Sequence, residues 1–381
     1  MSSSSPPATP CSRSERRLHF GGLDRSYVLH IPPSLCSKDR LAELTVPLVV
    51  AIHCYGCDPD GILGIFAKAA DQYGFVLAAP AGIKNSFNAK VCCGHALSEG
   101  LDDVGFVRAM IQELLAPPGL ESLGASAFRL RLSSQAIYAF GFSNGGFLAS
   151  ELAIKLPEIR GFASLAGHVY DLPADMTPKA VAIHWVQQDQ AVSYKGCCSS
   201  QRCCCGISQR WSGSCIGVED IFKQWLHING CNGSSSGIPG PSGAVCSSGL
   251  GCRRPTRLCS YATGHHGQWA HHFEDAGIVG QFFAEDICAL GGVSIADPLA
   301  CRGHSTQRPN VTDILAKAEV SKAPFGEASK DIPVVTVSAI VMSVSLLLAV
   351  SWSRWRHHRQ VKQQVFGKAQ VPVQAIGSAL E

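Results

Sequence analysis

The chain has almost no net charge and few charged residues of either sign. Its 32 Lys and Arg residues nearly balance 29 Asp and Glu residues, which leaves a net charge of +3, and charged residues make up 16% of its 381 positions. Because so small an excess creates no extended positive field, nucleic acid is not an expected partner. Internal repeats and a phosphate-binding glycine motif are also missing, so nothing predicts a solenoid or a phosphate-binding loop.

A signal peptide is missing as well. Residues 1–16 are rich in Ser and Pro and contain no apolar run of the about 7–15 residues that a signal peptide needs. They cannot bury a core, and we expect a disordered arm there. The chain as a whole is not polar, since hydrophobic residues make up 46% of it. That share excludes a wholly disordered or collagen-like protein.

Cysteine, by contrast, is frequent, with 18 residues. This density is typical of an oxidising compartment, although the chain is too long to be a small disulfide-stapled domain. Ten of the cysteines fall in residues 195–260, among many Gly and Ser residues. We interpret this segment as an irregular, disulfide-tied insertion. A zinc site is the alternative, which the lack of a clean pair of C-x2-C units disfavours.

Residues 17–290 alternate between short apolar segments and longer amphipathic ones. The short segments predict strands and the longer ones predict helices. The predicted strands are 18–20, 27–31, 47–53, 75–79, 136–140, 181–186 and 258–262, and the predicted helices are 102–115, 144–156 and 276–290. Near-continuous apolar strands separated by helices indicate an α/β fold with a mostly parallel sheet and helices on both faces.

Residues 332–352 run for 21 positions without a charged residue, which is about the length that crosses a bilayer as a helix. Residues 353–381 follow as a basic tail, and Trp352 and Trp355 lie where interfacial aromatic residues are common. We therefore expect one transmembrane helix here, and a buried core helix is the alternative. Residues 291–331, which are polar, are interpreted as a linker.

The charges beside this apolar segment predict its orientation. The tail carries five Lys and Arg residues and one Glu, whereas residues 313–331 carry three Lys residues and four acids. The positive-inside rule then puts the tail in the cytoplasm and the folded domain outside the cell or in a lumen. The cysteines agree, and so do two N-glycosylation acceptor sequences that begin at Asn232 and Asn310. Late insertion by the tail, with the domain in the cytosol, is the alternative.

Gly141-Phe142-Ser143-Asn144-Gly145 is a G-x-S-x-G motif between a predicted strand and a predicted helix. That context is typical of a nucleophile elbow, a turn so sharp that its flanks require glycine. Such a turn lifts the Ser143 hydroxyl above the sheet and directs the backbone N–H of Asn144 toward a developing oxyanion. Ser143 is therefore the predicted nucleophile.

A serine nucleophile needs a general base, and in this motif's fold class the chain order is Ser, acid, His. Asp189 follows a predicted strand and is the predicted acid. Asp171 and Asp175 are alternatives, but no strong strand precedes them. His265 comes directly off the last strand and is the preferred base, with His266 as the second candidate.

The second oxyanion donor is expected in the loop after the strand 47–53. This loop reads His53-Cys54-Tyr55-Gly56-Cys57, and the backbone N–H of Cys54 or of Tyr55 is the candidate. Acyl transfer by these groups needs no metal ion and no organic cofactor, so none is expected.

These motifs resemble the polyhydroxybutyrate depolymerase and feruloyl esterase group of α/β-hydrolases. The similarity covers about residues 18–290 and lies in PLVVAIHCYGC, YGFVLAAPAG, SFNAKVCCG, LDDVGFV, IYAFGFSNGGFLASELA, IHWVQQDQAVSYKG, WLHINGC and ATGHHGQW. The resemblance implies an α/β-hydrolase domain over 17–290 and a triad of Ser143, Asp189 and either His265 or His266.

The resemblance also implies that Cys92, Cys93 and Cys231 form disulfides. At Cys54 the chain departs from the group, whose members usually have glycine after the loop histidine, and the larger side chain is expected to narrow the acyl site. The implied activity is that of a serine esterase on carboxylic esters of a polymer, such as feruloyl or acetyl esters of a polysaccharide. Alternatives are a poly-3-hydroxybutyrate depolymerase and, from another class, a non-catalytic membrane-anchored binding protein.

Overall fold

The computed structural model describes residues 13–36, 43–116, 120, 129–196, 216–240, 243–266, 276–295 and 301. All of them belong to the first of two units into which the chain divides, residues 1–307 and 308–381. The predicted membrane segment 332–352, the basic tail 353–381 and the acceptor Asn310 lie outside the described residues. Within the described part of the chain, no helix is long and apolar enough to cross a membrane.

A single ten-stranded sheet forms the centre of the first unit, in the order β1-β2-β4-β3-β5-β6-β7-β10-β9-β8. The strands are β1 (Arg13–Phe20), β2 (Leu23–His30), β3 (Leu44–Ile52), β4 (Val76–Pro80), β5 (Leu130–Phe142), β6 (Ile159–Leu165), β7 (Ala180–Val186), β8 (Gly233–Pro239), β9 (Val245–Leu250) and β10 (Thr256–Tyr261).

The six central strands, from β4 to β10 in the sheet order, pair in parallel, and the strands at both edges are antiparallel. Every residue of β4 and β7 is buried. Because successive side chains on a strand point to opposite faces, both faces of the central sheet must be covered. The predicted α/β fold with a mostly parallel sheet is therefore confirmed.

The described helices are α1 (Pro59–Tyr73), α2 (Gly94–Ser98), α3 (Asp103–Leu115), α4 (Asn144–Lys155), α5 (Val218–Ile228) and α6 (Ala276–Cys288). Helix α1 packs on α6, and α3 packs on α4. Helix α1 is missing from the predicted elements, although Asp58 caps its N-terminus and Gly74 ends it in the left-handed conformation (φ 77°), both of which are typical helix boundaries.

Two predicted segments differ from the structure. Residues 13–16 of the predicted disordered arm belong to β1, where Arg13 pairs with His30 and Arg16 with Tyr27. Strand pairing with the hairpin partner orders this polar sequence, which has no core of its own to form. The described start of the predicted linker is also attached to the domain, because Cys301 forms a disulfide with Cys288.

The prediction of an irregular insertion over 195–260 is wrong for α5, β8 and β9, which are regular elements, and the strand predicted at 258–262 is present as β10. Strands β8 and β9 add to the edge of the sheet by backbone pairing, so their Gly- and Ser-rich sequence needs no apolar alternation. The disulfides expected here are present between Cys231 and Cys252 and between Cys246 and Cys259. Cysteines 197–215 lie outside the described residues.

Candidate active site

Ser143 lies in the sharp turn between β5 and α4, with φ 55° and ψ −117°. A Cβ atom on Gly145 would lie 2.1 Å from the Ile52 carbonyl oxygen, and one on Gly141 would lie 2.1 Å from the Gly145 carbonyl oxygen. Glycine is therefore required at both positions for the chain to turn. The positive φ of Ser143 is a strained conformation that is common at functional sites. The predicted nucleophile elbow is present.

His266 lies between Ser143 and Asp189. Its Nδ1 is 2.8 Å from the Asp189 Oδ2, and its Nε2 is 2.9 Å from the Ser143 Oγ. Because an ionised carboxylate can only accept hydrogen bonds, Nδ1 carries the proton toward Asp189. That tautomer leaves the Nε2 lone pair facing the serine hydroxyl, as a general base requires.

Asp189 is held rigidly in the loop after β7. Its side chain is 0% exposed, and its Oδ1 accepts hydrogen bonds from the backbone N–H groups of Ala191 and Val192, both at 2.9 Å. The remaining oxygen is thus left for His266. The alternative acids lie elsewhere: Asp171 forms an exposed ion pair with Lys90, and Asp175 is exposed.

The preference for His265 over His266 is wrong in geometric terms. Strand β10 ends at Tyr261, and the chain then bends before Gly264, which has φ 127°. This path leaves His265 exposed and turns His266, whose side chain is 24% exposed, inward onto Ser143. The sequence places both histidines beside the site, and only the loop conformation distinguishes them.

The predicted oxyanion loop follows β3, beside the N-terminus of α4. Cys54 and Cys57 form a disulfide across it, and the Tyr55 side chain is 48% exposed. His53 is buried: its Nδ1–H donates to the Cys54 carbonyl (2.8 Å), and its Nε2 accepts the Gly82 N–H (3.0 Å). Burial lowers the pKa of His53 from its ordinary value of 6.5, and the neutral ring suits these two bonds. The oxyanion roles of Asn144, Cys54 and Tyr55 stay predictions.

A buried ion pair joins β2 to α3, and the sequence pattern does not predict it. Arg25 and Asp103 lie 2.6 Å apart with side chains 1% and 0% exposed, and Asp103 also accepts the Asn88 N–H at 2.6 Å. Burial raises the pKa of Asp103, while the Arg25 guanidinium opposes that rise. The sequence signal for this pair is two successive acids, Asp102 and Asp103, at a predicted helix start. Since a helix N-terminus favours acids in general, that signal does not identify a buried ion pair.

A groove of about 420 Å³ opens beside the Asp189 loop. Its lining is polar and aromatic, with Gln187, Tyr194, Glu219 and Lys223 among its residues. A second groove of about 390 Å³ shares three of these residues and continues along β8 and β9. Hydroxyl, amide and carboxylate groups of this kind suit a ligand rich in hydroxyls.

Metal ligation has no support in the described part of the chain, where no cluster of three or more His, Cys, Asp or Glu side chains could hold an ion. The four described cysteines of the Cys-rich segment are paired in disulfides, so none of those thiols is free for zinc. The disulfide implied for Cys92 and Cys93 is also present, between the two neighbours themselves.

No protein-family model matches the chain. It is 30% identical over 176 residues to "Putative esterase NocK" of Nocardia uniformis subsp. tsuyamanensis, a match that covers 45% of this chain and 46% of that protein. It is 27% identical over 183 residues to "Feruloyl esterase B" of Piromyces equi, covering 44% of this chain and 29% of that protein. The chain thus spans less than half the length of either relative.

Among solved structures, a thermostable esterase matches 71% of this chain and 62% of its own with a TM-score of 0.44 and 14% identity, a likeness too weak to carry an argument about function. The predicted resemblance to esterases is confirmed by the two named relatives, one of which is named a feruloyl esterase. The resemblance to polyhydroxybutyrate depolymerases stays a prediction.

Proposed function

We propose that the chain is a carboxylic ester hydrolase in which Ser143, His266 and Asp189 form the catalytic triad. One observation carries the proposal: His266 hydrogen-bonds Asp189 through one ring nitrogen and the Ser143 hydroxyl through the other. A strained strand-to-helix turn holds the serine. This is the arrangement that activates a hydroxyl for attack on a carbonyl carbon. The esterase names of both relatives support the same reaction.

In the first step the Ser143 Oγ attacks the ester carbonyl carbon while His266 Nε2 accepts the hydroxyl proton. The carboxylate of Asp189 stabilises the imidazolium that forms. The carbonyl oxygen becomes an oxyanion, which the backbone N–H of Asn144 and that of Cys54 or Tyr55 would stabilise. Collapse of this intermediate breaks the ester C–O bond. The leaving alcohol takes the proton from His266, and an acyl-serine remains.

Water reverses the sequence in the second step. His266 takes a proton from water, whose oxygen attacks the acyl carbon, and the second oxyanion occupies the same site. Collapse breaks the bond to Ser143, which regains its proton from His266, and the carboxylic acid leaves. Each proton removed is returned, so the cycle consumes one ester and one water and needs no further reactant.

For the substrate we propose an ester of a polymer, with feruloyl or acetyl esters of a polysaccharide as the first candidates. The name of the Piromyces relative supports the feruloyl ester. The polar groove beside the Asp189 loop would receive the sugar units next to the ester, because its side chains offer both donors and acceptors to hydroxyls. Hydroxybutyrate oligomers belong in the same panel, since that resemblance stays open.

Two assays on the purified full-length chain test this function. A fluorophosphonate probe should label the wild-type protein and leave Ser143→Ala unlabelled. Turnover of p-nitrophenyl butyrate should fall by about 10⁴-fold in the same variant. Methyl ferulate, acetylated xylan and hydroxybutyrate oligomers then rank the natural ester. A correctly folded wild type that neither reacts with the probe nor hydrolyses any ester would favour the non-catalytic binding protein instead.

A further inference from the structure

The two proposed oxyanion donors belong to different elements. One is the backbone N–H of Asn144 at the start of α4, and the other is in residues 53–57 after β3. Hydrogen-bond donors stabilise an oxyanion only when both lie about 2.7–3.1 Å from the place where its charge develops. Something must therefore fix the spacing between α4 and residues 53–57.

The side chain of Asn144 makes a contact that its position in the motif does not require. It is fully buried, and its Oδ1 accepts the Phe87 N–H at 2.8 Å. Its Nδ2 donates to the Phe87 carbonyl at 3.0 Å and to the Cys92 carbonyl at 2.7 Å. A carboxamide is the smallest side chain that both accepts and donates in this way. All three of these hydrogen bonds are made to residues 82–94.

Residues 82–94 are also hydrogen-bonded to residues 53–57, which contain the second proposed oxyanion donor. The Gly82 N–H donates to His53 Nε2 at 3.0 Å, and the Gly56 N–H donates to the Asn85 carbonyl at 2.8 Å. The Phe87 ring lies 4.6 Å from the His53 ring, centroid to centroid. Residues 82–94 are therefore hydrogen-bonded both to the Asn144 amide and to the two ends of the loop 53–57.

The far side of residues 82–94 is fixed to the body of the domain. The Asn88 N–H donates to the buried Asp103 at 2.6 Å, and the Asn88 Nδ2 donates to the Leu101 carbonyl at 2.8 Å. A segment anchored at its far side and bonded to both donor elements can transmit position between them. Without the amide, three buried backbone groups at Phe87 and Cys92 would lose a partner.

We propose that the Asn144 side chain is a positioning residue, which, through residues 82–94, sets the spacing between the two oxyanion donors. This inference rests on the proposed function. It assigns the side chain a role separate from the backbone N–H of the same residue, which every variant except proline would keep. Its effect should appear in kcat, because the spacing matters to the transition state more than to substrate binding.

The test compares Asn144→Ala with Ser150→Ala. Ser150 is a matched control because it is a fully buried side chain of the same helix, bonded to Phe147 and Val169, and it has no contact with residues 82–94 among its bonds. Both variants should lose stability. Only Asn144→Ala should lose kcat, by about 10–100-fold, with KM within about threefold of wild type.

Hydrogen–deuterium exchange gives a second readout that needs no turnover. Exchange should rise in both 82–94 and 53–57 in Asn144→Ala and stay unchanged there in Ser150→Ala. Asn88→Ala removes the Nδ2 bond to Leu101, keeps the backbone bond to Asp103 and leaves the helix untouched, so it should show a smaller change in the same two places. If Asn144→Ala does not fold, Asn144→Asp replaces it, because Asp keeps the acceptor for the Phe87 N–H and loses both donated bonds.

Two results would overturn the inference. One is kcat within twofold of wild type for Asn144→Ala in spite of a lower melting temperature, which would make the side chain purely structural. The other is faster exchange in 82–94 without any change in 53–57. A wild type that hydrolyses no ester would contradict the proposed function, and the exchange pattern alone would then decide this inference.

Discussion

His265 and His266 are adjacent in the chain but lie in different surroundings. The imidazole of His266 bonds both Asp189 and Ser143, while His265 is exposed. We expect His266→Ala to lower kcat for p-nitrophenyl butyrate by about 10⁴-fold, since it removes the proposed general base. His265→Ala, a matched control one position away, should retain most of the activity. Steady-state kinetics of the two purified variants measure the difference.

Equal and mild losses in both histidine variants would contradict the triad. The reverse pattern, with only His265→Ala inactive, would mean that the loop after β10 adopts another path in solution. In either case the melting temperatures of the two variants show whether a loss reflects chemistry or folding.

At the residue scale the sequence identifies chemical types better than individual positions. Ser143 follows from its glycine flanks, and Asp189 from its place after a strand, because both are set by the backbone geometry of a strand end. The choice between His265 and His266 depends on the number of residues in the bend after β10. No side-chain pattern predicts that number. The Asn144 amide contacts are equally invisible, since their partners are backbone groups 52 and 57 residues away.

His168 predicts how stability depends on pH. It is fully buried, donates from Nδ1 to the Val169 carbonyl and accepts the Trp225 Nε1–H at 2.9 Å on Nε2. Burial lowers the pKa of His168 from 6.5 to about 4, against a smaller opposing effect of its bond to Val169. The unfolded chain therefore binds this proton at a higher pH than the folded chain does. The free energy of unfolding should fall as the pH drops from 6.5 toward 4.

For His168 alone this loss is on the order of 3 kcal/mol. Urea titrations at several pH values should show a shallower acid-side decline in His168→Gln than in wild type, whatever the variant's stability at pH 7. His184, whose pKa burial lowers to about 3, leaves a residual slope of the same sign in both proteins. Identical slopes would mean that His168 is not buried in the neutral form.

At the scale of elements, helix α4 can approach strand β3 because residue 145 is a glycine and has no side chain. A Cβ atom on Gly145 would lie 2.1 Å from the Ile52 carbonyl, so Gly145→Ala must displace the helix start or the strand end. We expect it to lower the melting temperature and to reduce kcat together, because Ser143 and residue 144 move with the helix. Calorimetry and ester turnover report the two effects.

Gly64→Ala is the control for that variant. Gly64 is exposed within α1 and a Cβ atom there would meet nothing within 4 Å. Alanine should raise the free energy of unfolding by about 0.5–1 kcal/mol through its better helix propensity, with activity unchanged. If Gly145→Ala is as stable and as active as wild type, glycine is not required at this contact.

Elements with a clear apolar pattern are the ones that the sequence predicts. The buried strands β3, β4, β5 and β7 and the helices α3 and α4 follow from runs of Val, Ile, Ala and Leu or from a helical stripe. Strands β8 and β9 escape prediction because Gly and Ser give no alternation, and backbone pairing together with the Cys246–Cys259 disulfide holds them at the sheet edge. Strand β6 was missed for a related reason, since Arg160 and Gly161 interrupt its apolar run.

At the scale of the whole molecule, membrane topology is the main prediction. We expect the folded domain to lie outside the cell or in a lumen, with the tail 353–381 in the cytoplasm, because of the charge difference across 332–352. Asn232 is exposed at the start of β8 and is available to a glycosyl transferase in that orientation. Expression of the full chain in a eukaryotic cell, followed by glycosidase treatment and by protease protection of sealed membranes, measures both points.

Asn232→Gln and Asn310→Gln are the controls, and each should remove one glycan. A domain that is unglycosylated, reduced and digested from the cytosolic side would overturn the orientation. A protein recovered entirely from the soluble fraction would overturn the membrane helix as well.

The cross-link between Cys54 and Cys57 has a practical consequence for anyone who produces this protein. It lies in the loop after β3, near the start of α4, and both cysteines are partly exposed. A host whose cytoplasm keeps thiols reduced will deliver chains with this loop open, and a dithiothreitol-containing buffer will do the same to a sound preparation. The specific activity should therefore be measured on protein that was secreted into an oxidising compartment and kept in thiol-free buffer. Inactivity of a first preparation from a reducing host would reflect the missing disulfide and not the protein's own activity.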